Sequence, residues 1–329
     1  MGCHVVRHLL AAGDSVRVLV RGTSNRRALE GLPVEFAEGD LRNRGSLDAA
    51  VQGIDRVFHV AADYRLWSAR PEEIYESNVG GTRNVLEAAR SAGVSRFVYT
   101  STVATVAVPR GESLPNEETH AKVDEMIGHY KRSKFRAEEE AMKAASTGFP
   151  VVIVNPTAPV GALDWKPTPT GRIVVDFLNG RMPAYVDTGL NVVGVEDVAA
   201  GHLLAADRGV SGQRYILGAR NMTLKEILDA LAKITGRPAP RVRLPHFVAL
   251  AAAHVDEWVS RARGREPRIP VEGVKISRHS MFVDGSKATR ELGYRPGPVE
   301  AALEQAVDWY QANGYVKAPN RRLVHATAA

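Results

Sequence analysis

Cysteine is almost absent from this chain. Cys3 is the only one in 329 residues, so neither a disulfide framework nor a thiolate metal cluster can be built. The ten histidines are scattered without metal-ligand spacing, and no metal is expected. No apolar run approaches the roughly 20 residues that cross a bilayer, which excludes a transmembrane helix. No basic, then apolar, leader with a small-residue cleavage site opens the sequence, so the cytoplasm is the expected compartment. No internal repeat is present, which sets aside solenoids and propellers. Charge of one sign is not concentrated anywhere: the excess of 43 basic over 37 acidic residues is spread along the chain, and no nucleic-acid-binding motif accompanies it. Nucleic acid is therefore not an expected partner. A net charge of +6 favours anionic ligands, such as a phosphorylated cofactor or substrate, and weak attraction to an anionic membrane surface.

What is present is the rhythm of an α/β protein. The first half alternates short β-branched runs, at 16–20, 34–37, 56–60, 96–100 and 151–155, with longer amphipathic segments, of which 72–92 and 124–145 are the best patterned. This predicts a doubly wound parallel sheet of Rossmann type, with polar or small residues after each strand where a ligand-binding loop would sit. After about residue 160, loops rich in Pro and Gly, such as Trp165 to Gly171, predict a second, smaller lobe. The expected division is 1–160 for cofactor and 161–329 for substrate. Thr223 and Glu226 form a capping-box signature for a helix that follows. The apolar stretch from Phe247 to Val259 is expected to be an ordinary buried helix; a lid over a greasy substrate or a helix lying on a membrane is the alternative. Residues from Lys317 on are expected to be a frayed tail.

The amino end departs from this pattern. Gly2 is followed by apolar residues at helical spacing (Val5, Val6, Leu9, Leu10), a Gly13-Asp14 stop and a strand ending at Val20. That is the second half of a βαβ unit. A dinucleotide-binding unit starts with a strand and a glycine-rich turn, and Gly2 fits only the last of those glycines. The first strand is expected to be missing, through a misplaced start or a truncated chain, and the alternative is a fold with no such strand. In the order 3-2-1-4-5-6 the lost strand would lie in mid-sheet, leaving two neighbours unpaired and removing much of the pyrophosphate cradle.

Tyr130 and Lys134 lie four apart in a helical pattern, so both emerge on one face, as a proton-transfer pair requires. An ammonium beside a phenol favours the phenolate, which would let Tyr130 exchange a proton with a substrate oxygen. The strand 96–100 runs into Ser101 and Thr102, hydroxyls placed to bind the same oxygen; the plainer reading of both is a strand-end cap. Arg21 closes the strand where an acidic residue would grip an adenosine ribose, which favours a 2′-phosphate and hence NADP over NAD. Arg26 and Arg27 are candidates to assist. Asp40 is placed either to meet the adenine or to cap a loop.

Taken together, Gly2, Arg21, Gly39-Asp40-Leu41, His59-Val-Ala-Ala62, Asn78-Val-Gly-Gly-Thr82, Thr100-Ser-Thr102, Tyr130 with Lys134, and Asn155-Pro156 resemble the extended short-chain dehydrogenase/reductases. The runs Asp63 to Trp67, Tyr130 to Phe135, Lys166 to Arg172 and Phe177 to Val186 are similar to the hopanoid-associated sugar epimerases, relatives of dihydroflavonol reductases. The resemblance implies a hydride shuttle in which Tyr130 is the acid/base, Lys134 tunes it and holds the nicotinamide ribose, and Thr102 or Ser101 binds the reacting oxygen. It implies cofactor contacts at Gly2, Arg21, Asp40, Leu41, Ala61, Ala62, Asn78, Thr100, Lys134, Asn155 and Pro156. It also implies that 190–208 returns to the cofactor domain, and it departs from the family at Gly194, where a histidine is the pattern. Asp63, Tyr64, Trp67 and Arg172 are the substrate candidates, the aromatics for a sugar or terpenoid surface and Arg172 for a diphosphate. The leading expectation is a sugar epimerase or oxidoreductase, with hopanoid biosynthesis as the pathway the resemblance suggests, acting on a nucleotide sugar or a terpenoid carbonyl. The alternatives are an NADPH-dependent carbonyl reductase and a catalytically silent binding module. The paired long helices predict a homodimer.

Overall fold

Each β-branched run of the first half pairs as a strand in the computed structural model, which describes residues 1–107 and 113–316. The order there is α1 (Gly2–Ala11), β1 (Val16–Val20), β2 (Val34–Glu38), α2 (Arg44–Ala50), β3 (Arg56–His59), α3 (Glu72–Tyr75), α4 (Gly81–Ser91), β4 (Arg96–Thr100), α5 (Gly128–Ser146) and β5 (Val151–Pro156). The second half adds β6 (Ala158–Val160), α6 (Pro169–Leu178), β7 (Ala184–Val186), β8 (Gly189–Gly194), α7 (Val195–Arg208), β9 (Arg214–Leu217), β10 (Arg220–Thr223) and α8 (Leu224–Thr235). It closes with β11 (Val242–Leu244), α9 (His246–Ala262), α10 (Val271–Ile276), α11 (Ser286–Leu292) and α12 (Val299–Ala312). The tail from Lys317 lies outside the described residues.

Two helices differ from their sequence pattern. The segment predicted at 72–92 is helical throughout, but Glu76–Gly80 widens into a π-helical turn between α3 and α4. Such turns insert a residue and re-aim side chains, and this one carries Asn78. The helix predicted from 124 begins at Gly128 instead, because Gly128 adopts φ +86°, a left-handed conformation that breaks the helical run. The capping box of α8 is formed, with the Thr223 side chain on the Glu226 N–H and the Glu226 carboxylate on the Thr223 N–H.

The parallel sheet is in two pieces. β3, β4, β5 and β9 pair in that order, all parallel, while β1 and β2 form a separate parallel pair. Among the described residues no strand pairs with β1 on one side and β3 on the other, in keeping with the incomplete βαβ pattern at Gly2. Helix α1 lies across the break: Val5 and Leu9 pack with Val16 of β1, Phe58 of β3 and Val60 just beyond it. An ion pair from Arg56 to Asp14 (2.6 Å) ties the two pieces at one end. Open edges leave backbone groups of β1 and β3 without ladder partners. Hydrogen exchange should therefore be fast at the inward amides of β1 and slowest in β4 and β5, which are paired on both sides and, apart from half-buried Arg96, fully buried. Exchange mass spectrometry checks this, and equal protection of β1 and β4 would contradict it.

Helix α7 covers the β4–β5 face, where Val198 and Ala205 pack with Val98, Val152 and Val154. It also grips α1: Glu196 accepts from His4 (2.7 Å) and His8 (3.0 Å), and the His4 hydrogen bond is the main cause that holds the Glu196 carboxyl down to about 2. Gly194 precedes α7 closely enough that a Cβ there would meet Asp197 at 2.7 Å, so a histidine does not fit without movement. A further core cluster lies in the second half, where α6, α8 and α12 pack through Leu178, Leu228 and Leu303. Helix α9 does not bury its apolar residues as expected; Phe247, Val255 and Trp258 face outward.

Candidate active site

The carboxyl ends of β1, β3, β4 and β5 open on one cavity of about 2280 Å³. It runs from the break in the sheet, past Gly2, Arg21, Asp40, Leu41, Ala61 and Ala62, to Thr100, Thr102, Tyr130, Lys134 and Pro156. Tyr130 and Lys134 sit in the first two turns of α5, directly after the Gly128 break, on the face turned toward β4. Tyr130 is hydrogen-bonded by Thr102, which lies two residues beyond β4 and starts a short turn with an extended backbone. Burial pushes the Tyr130 phenol up to about 12, with the Thr102 hydrogen bond opposing it. The phenol is therefore neutral at physiological pH. The expected lowering by Lys134 is not what the structure shows, because the ammonium is engaged elsewhere.

Lys134 is buried and donates to the Tyr99 hydroxyl (2.8 Å) and the Thr100 carbonyl (2.8 Å). Burial pushes it down to about 7, and the negative charge of Glu138, one turn further along α5, opposes that fall. Tyr99 is in turn hydrogen-bonded with Thr82, and Thr82 with His59 Nε2 (3.0 Å). Thus Thr82 and His59, quoted above only as motif residues, form the far end of a buried polar chain behind Lys134. The partner that sequence reasoning missed is Tyr99. Nothing but its alternation with Val98 and its place on the central strand could have pointed to it.

Ser101 is a correction. Its hydroxyl donates to Glu138 rather than facing the reacting oxygen, and Thr105 (2.8 Å) and Asn155 Nδ2 (3.0 Å) bond the same carboxylate oxygen. Arg214 approaches the other oxygen at 3.4 Å. Glu138 is the second functional residue missed by sequence; its spacing of four from Lys134 was the available signal. Thr102 is thereby left as the one strand-end hydroxyl beside Tyr130.

The other predicted residues divide in the same way. Asn78 and Asn155 do not line the cavity. Asn78 accepts from the Asp63 N–H and donates to the Asp63 carbonyl and Ser133, pinning α5 to the loop after β3, and Asn155 donates to the Thr102 carbonyl (3.1 Å). Thr100 turns its hydroxyl inward to His202 Nε2 (2.9 Å). Asp40 caps its own loop, accepting from the Arg42 backbone and side chain, and Arg42 is the main cause that holds its carboxyl down to about 2. Arg26 and Arg27 stack on Phe36 and Trp165 and do not line the cavity. Asp63 and Tyr64 do line it, although Asp63 is paired with Arg65 (2.6 Å). Trp67 and Arg172 do not, although exposed Arg172 lies close enough for its charge to act on Tyr64.

The donors fit a dinucleotide. Met1 gives α1 no side-chain cap, so the N–H groups of Gly2 and Cys3 are left for a ligand, a Cβ at Gly2 would meet nothing within 4 Å, and no ion pair holds Arg21 among the described residues. Lys134 keeps one N–H beyond its two protein acceptors.

His59 and His202 make stability acid-sensitive. Burial lowers them to about 3 and about 4, and because His202 Nδ1 donates to the Val198 carbonyl, Nε2 is the neutral acceptor for Thr100. Unfolded, both would protonate near pH 6.5. Their contribution is therefore complete above that pH and is lost progressively as pH falls toward 4 and 3. Urea midpoints at pH 7 and pH 5 should differ, and His202→Gln should reduce the difference; an identical slope in the variant would contradict the assignment.

The family model for the NAD dependent epimerase/dehydratase family matches residues 1–218. A protein that carries the name dihydroflavonol 4-reductase, from Synechocystis sp., is 48% identical over 96% of this chain and 93% of its own length. Sterol demethylase protein B of Methylococcus capsulatus is 37% identical over 96% of this chain and 97% of its own. The crystal structure of a nucleoside-diphosphate-sugar epimerase from Pseudomonas aeruginosa superposes with a TM-score of 0.79 at 28% identity, covering 96% of this chain and 95% of that one. With a Rossmann-type sheet whose strand ends converge on a Tyr, Lys and Thr set, the chain belongs to the NAD-dependent epimerase/dehydratase family of extended short-chain dehydrogenase/reductases, a family of enzymes.

Proposed function

We propose that this enzyme is an NADP-dependent reductase of an apolar carbonyl compound, of the size and character of a terpenoid or sterol ketone. One observation carries the choice of substrate. The cavity wall contributed by the second half presents Leu163, Ile173, Val186, Leu190, Leu224 and Met281; its charged members are Asp164, Lys166 and Glu266, and among the described residues it includes no arginine. A nucleoside diphosphate calls for guanidinium or clustered ammonium groups, and Arg172, the residue expected to supply one, is off the wall. A sterol or hopanoid ring system is matched by the apolar part of that wall, and the single ammonium of Lys166 is not the cluster a diphosphate needs. The name of the Methylococcus relative is in keeping with this reading.

When bound, the nicotinamide supplies the hydride that reduces the carbonyl carbon. Arg21 and the α1 amino terminus would hold the phosphate-bearing end of the cofactor, with Arg21 favouring a 2′-phosphate over a bare ribose, and Lys134 would hold the ribose next to the nicotinamide. Thr102 donates a hydrogen bond to the substrate oxygen, and Tyr130, neutral at its raised pKa, delivers the proton as negative charge develops there. A neutral phenol is the form that ketone reduction needs. The apolar wall excludes water and strengthens both hydrogen bonds.

The test is a panel of ketones and nucleotide sugars with NADPH and NADH. Net consumption of NADPH with hydrophobic ketones is expected, and epimerisation of a nucleotide sugar without net consumption would overturn the proposal in favour of the sugar epimerase.

A further inference from the structure

Helix α9 is apolar on both sides. One side is buried through Ala253 and Ser260, and the opposite side exposes Phe247 (74%), Val248, Val255 (63%) and Trp258 (74%), with Ala251 between them. Positions 247, 251, 255 and 258 repeat every three or four residues and so form one stripe along the roughly 25 Å of the helix. The only carboxylates of α9 are turned off this stripe. Asp256 accepts the backbone N–H groups of Arg268 (2.6 Å) and Ile269 (2.9 Å), and Glu257 accepts that of Val271 (2.8 Å).

Those bonds fold the following loop back along the helix. They place exposed Arg268 and Ile269 beside it, and Arg261 and Arg263 are exposed at its last turn. None of these three arginines has an ion pair among the described residues, whereas Arg265 reaches Asp256 at 3.9 Å. On the approach to α9, Val242 is exposed between Arg241 and Arg243, of which Arg243 is paired with Asp187 (3.3 Å).

We propose that the outward face of α9 docks on an anionic lipid bilayer, with Phe247, Val255 and Trp258 in the acyl boundary and the arginines at the headgroups. An apolar stripe that carries no carboxylate of its own and ends among unpaired Arg261, Arg263 and Arg268, with Glu266 the exposed acid of the loop that follows, is complementary to that surface. A second copy of the chain is a poorer fit, since a two-fold contact through this stripe sets arginine against arginine. The loop after α9 and the α10 segment also reach the cavity, through Glu266, Gly273 and Ile276, so docking brings the mouth of the cleft to the lipid surface. This inference rests on the exposed helix and not on the proposed reaction; it holds or fails whatever the substrate.

The experiment is flotation of the full chain with phosphatidylcholine vesicles, with and without phosphatidylglycerol, read together with quenching of tryptophan emission by brominated lipid. Binding should need phosphatidylglycerol, weaken with salt, and fall about tenfold in the Phe247→Ser, Trp258→Ser double variant and again in the Arg261→Glu, Arg263→Glu variant. Brominated lipid should quench the wild type and spare Trp258→Ser. All four positions are exposed, and unchanged circular dichroism confirms folding. Absence of binding to anionic vesicles, binding that the variants leave intact, or burial of Trp258 by self-association without lipid would overturn the proposal.

Discussion

Tyr130→Phe is expected to lower turnover by about 10²–10⁴-fold, the range over which a positioned acid contributes, while leaving cofactor affinity nearly unchanged. The ring of phenylalanine fills the same half-buried place at the start of α5, so what is lost is the proton and its hydrogen bond to Thr102. The loss should appear in kcat and kcat/KM alike, because the bond to the developing alkoxide is made in the transition state. Equilibrium cofactor binding and steady-state rates on the same preparation measure both halves. Turnover within a few-fold of wild type would place the acid elsewhere and remove Tyr130 from the mechanism.

Glu138→Ala should be the most damaging change away from the cavity wall, at about 3–5 kcal/mol of stability. The carboxylate is 94% shielded and is the common acceptor for Ser101, Thr105 and Asn155, with Arg214 on its second oxygen. Removing it leaves a guanidinium and three neutral donors without their partner in a closed interior. Glu138→Gln separates architecture from charge. It keeps the volume and one acceptor oxygen, but withdraws the negative charge that opposes the fall of Lys134. The Gln variant should therefore hold the Lys134 ammonium less well, moving its titration below about 7 and carrying the basic limb of the pH–rate profile to lower pH. The groups around Lys134 that bear on this are Glu138 and Tyr130 on α5, Tyr99 on β4 and His59 on β3. A purely structural role would change the denaturation midpoint and leave the profile in place.

Much of this architecture was legible because it is written in local chemistry. The five β-branched runs of the first half pair as strands within a residue of where their pattern ends, and the incomplete βαβ unit at Gly2 anticipates the break between β1 and β3. The Thr223 capping box names its helix because the two side chains satisfy two backbone donors locally. What was hidden depends on which face of a strand or helix meets which neighbour. Ser101 and Thr102 are adjacent in sequence, yet a strand-end residue and its successor point to opposite sides, so one meets Glu138 and the other Tyr130. Tyr99 is one more aromatic on a central strand until Lys134 is seen to reach it. Helix α9 misled for the opposite reason. Its composition is that of a core helix, and only the packing shows that one of its two apolar sides is left uncovered.

In the proposed reaction hydride reaches a carbonyl carbon in this cleft and Tyr130 protonates its oxygen, with net consumption of cofactor. The most direct measurement is transfer of deuterium from NADPH deuterated at the nicotinamide C4 to a hydrophobic ketone, followed by mass spectrometry of the alcohol. One deuterium at the carbinol carbon and one oxidised nicotinamide per alcohol formed are expected, with formation reduced by the Tyr130→Phe factor in the variant. Deuterium that stays on the cofactor while a nucleotide sugar changes configuration would contradict that reaction.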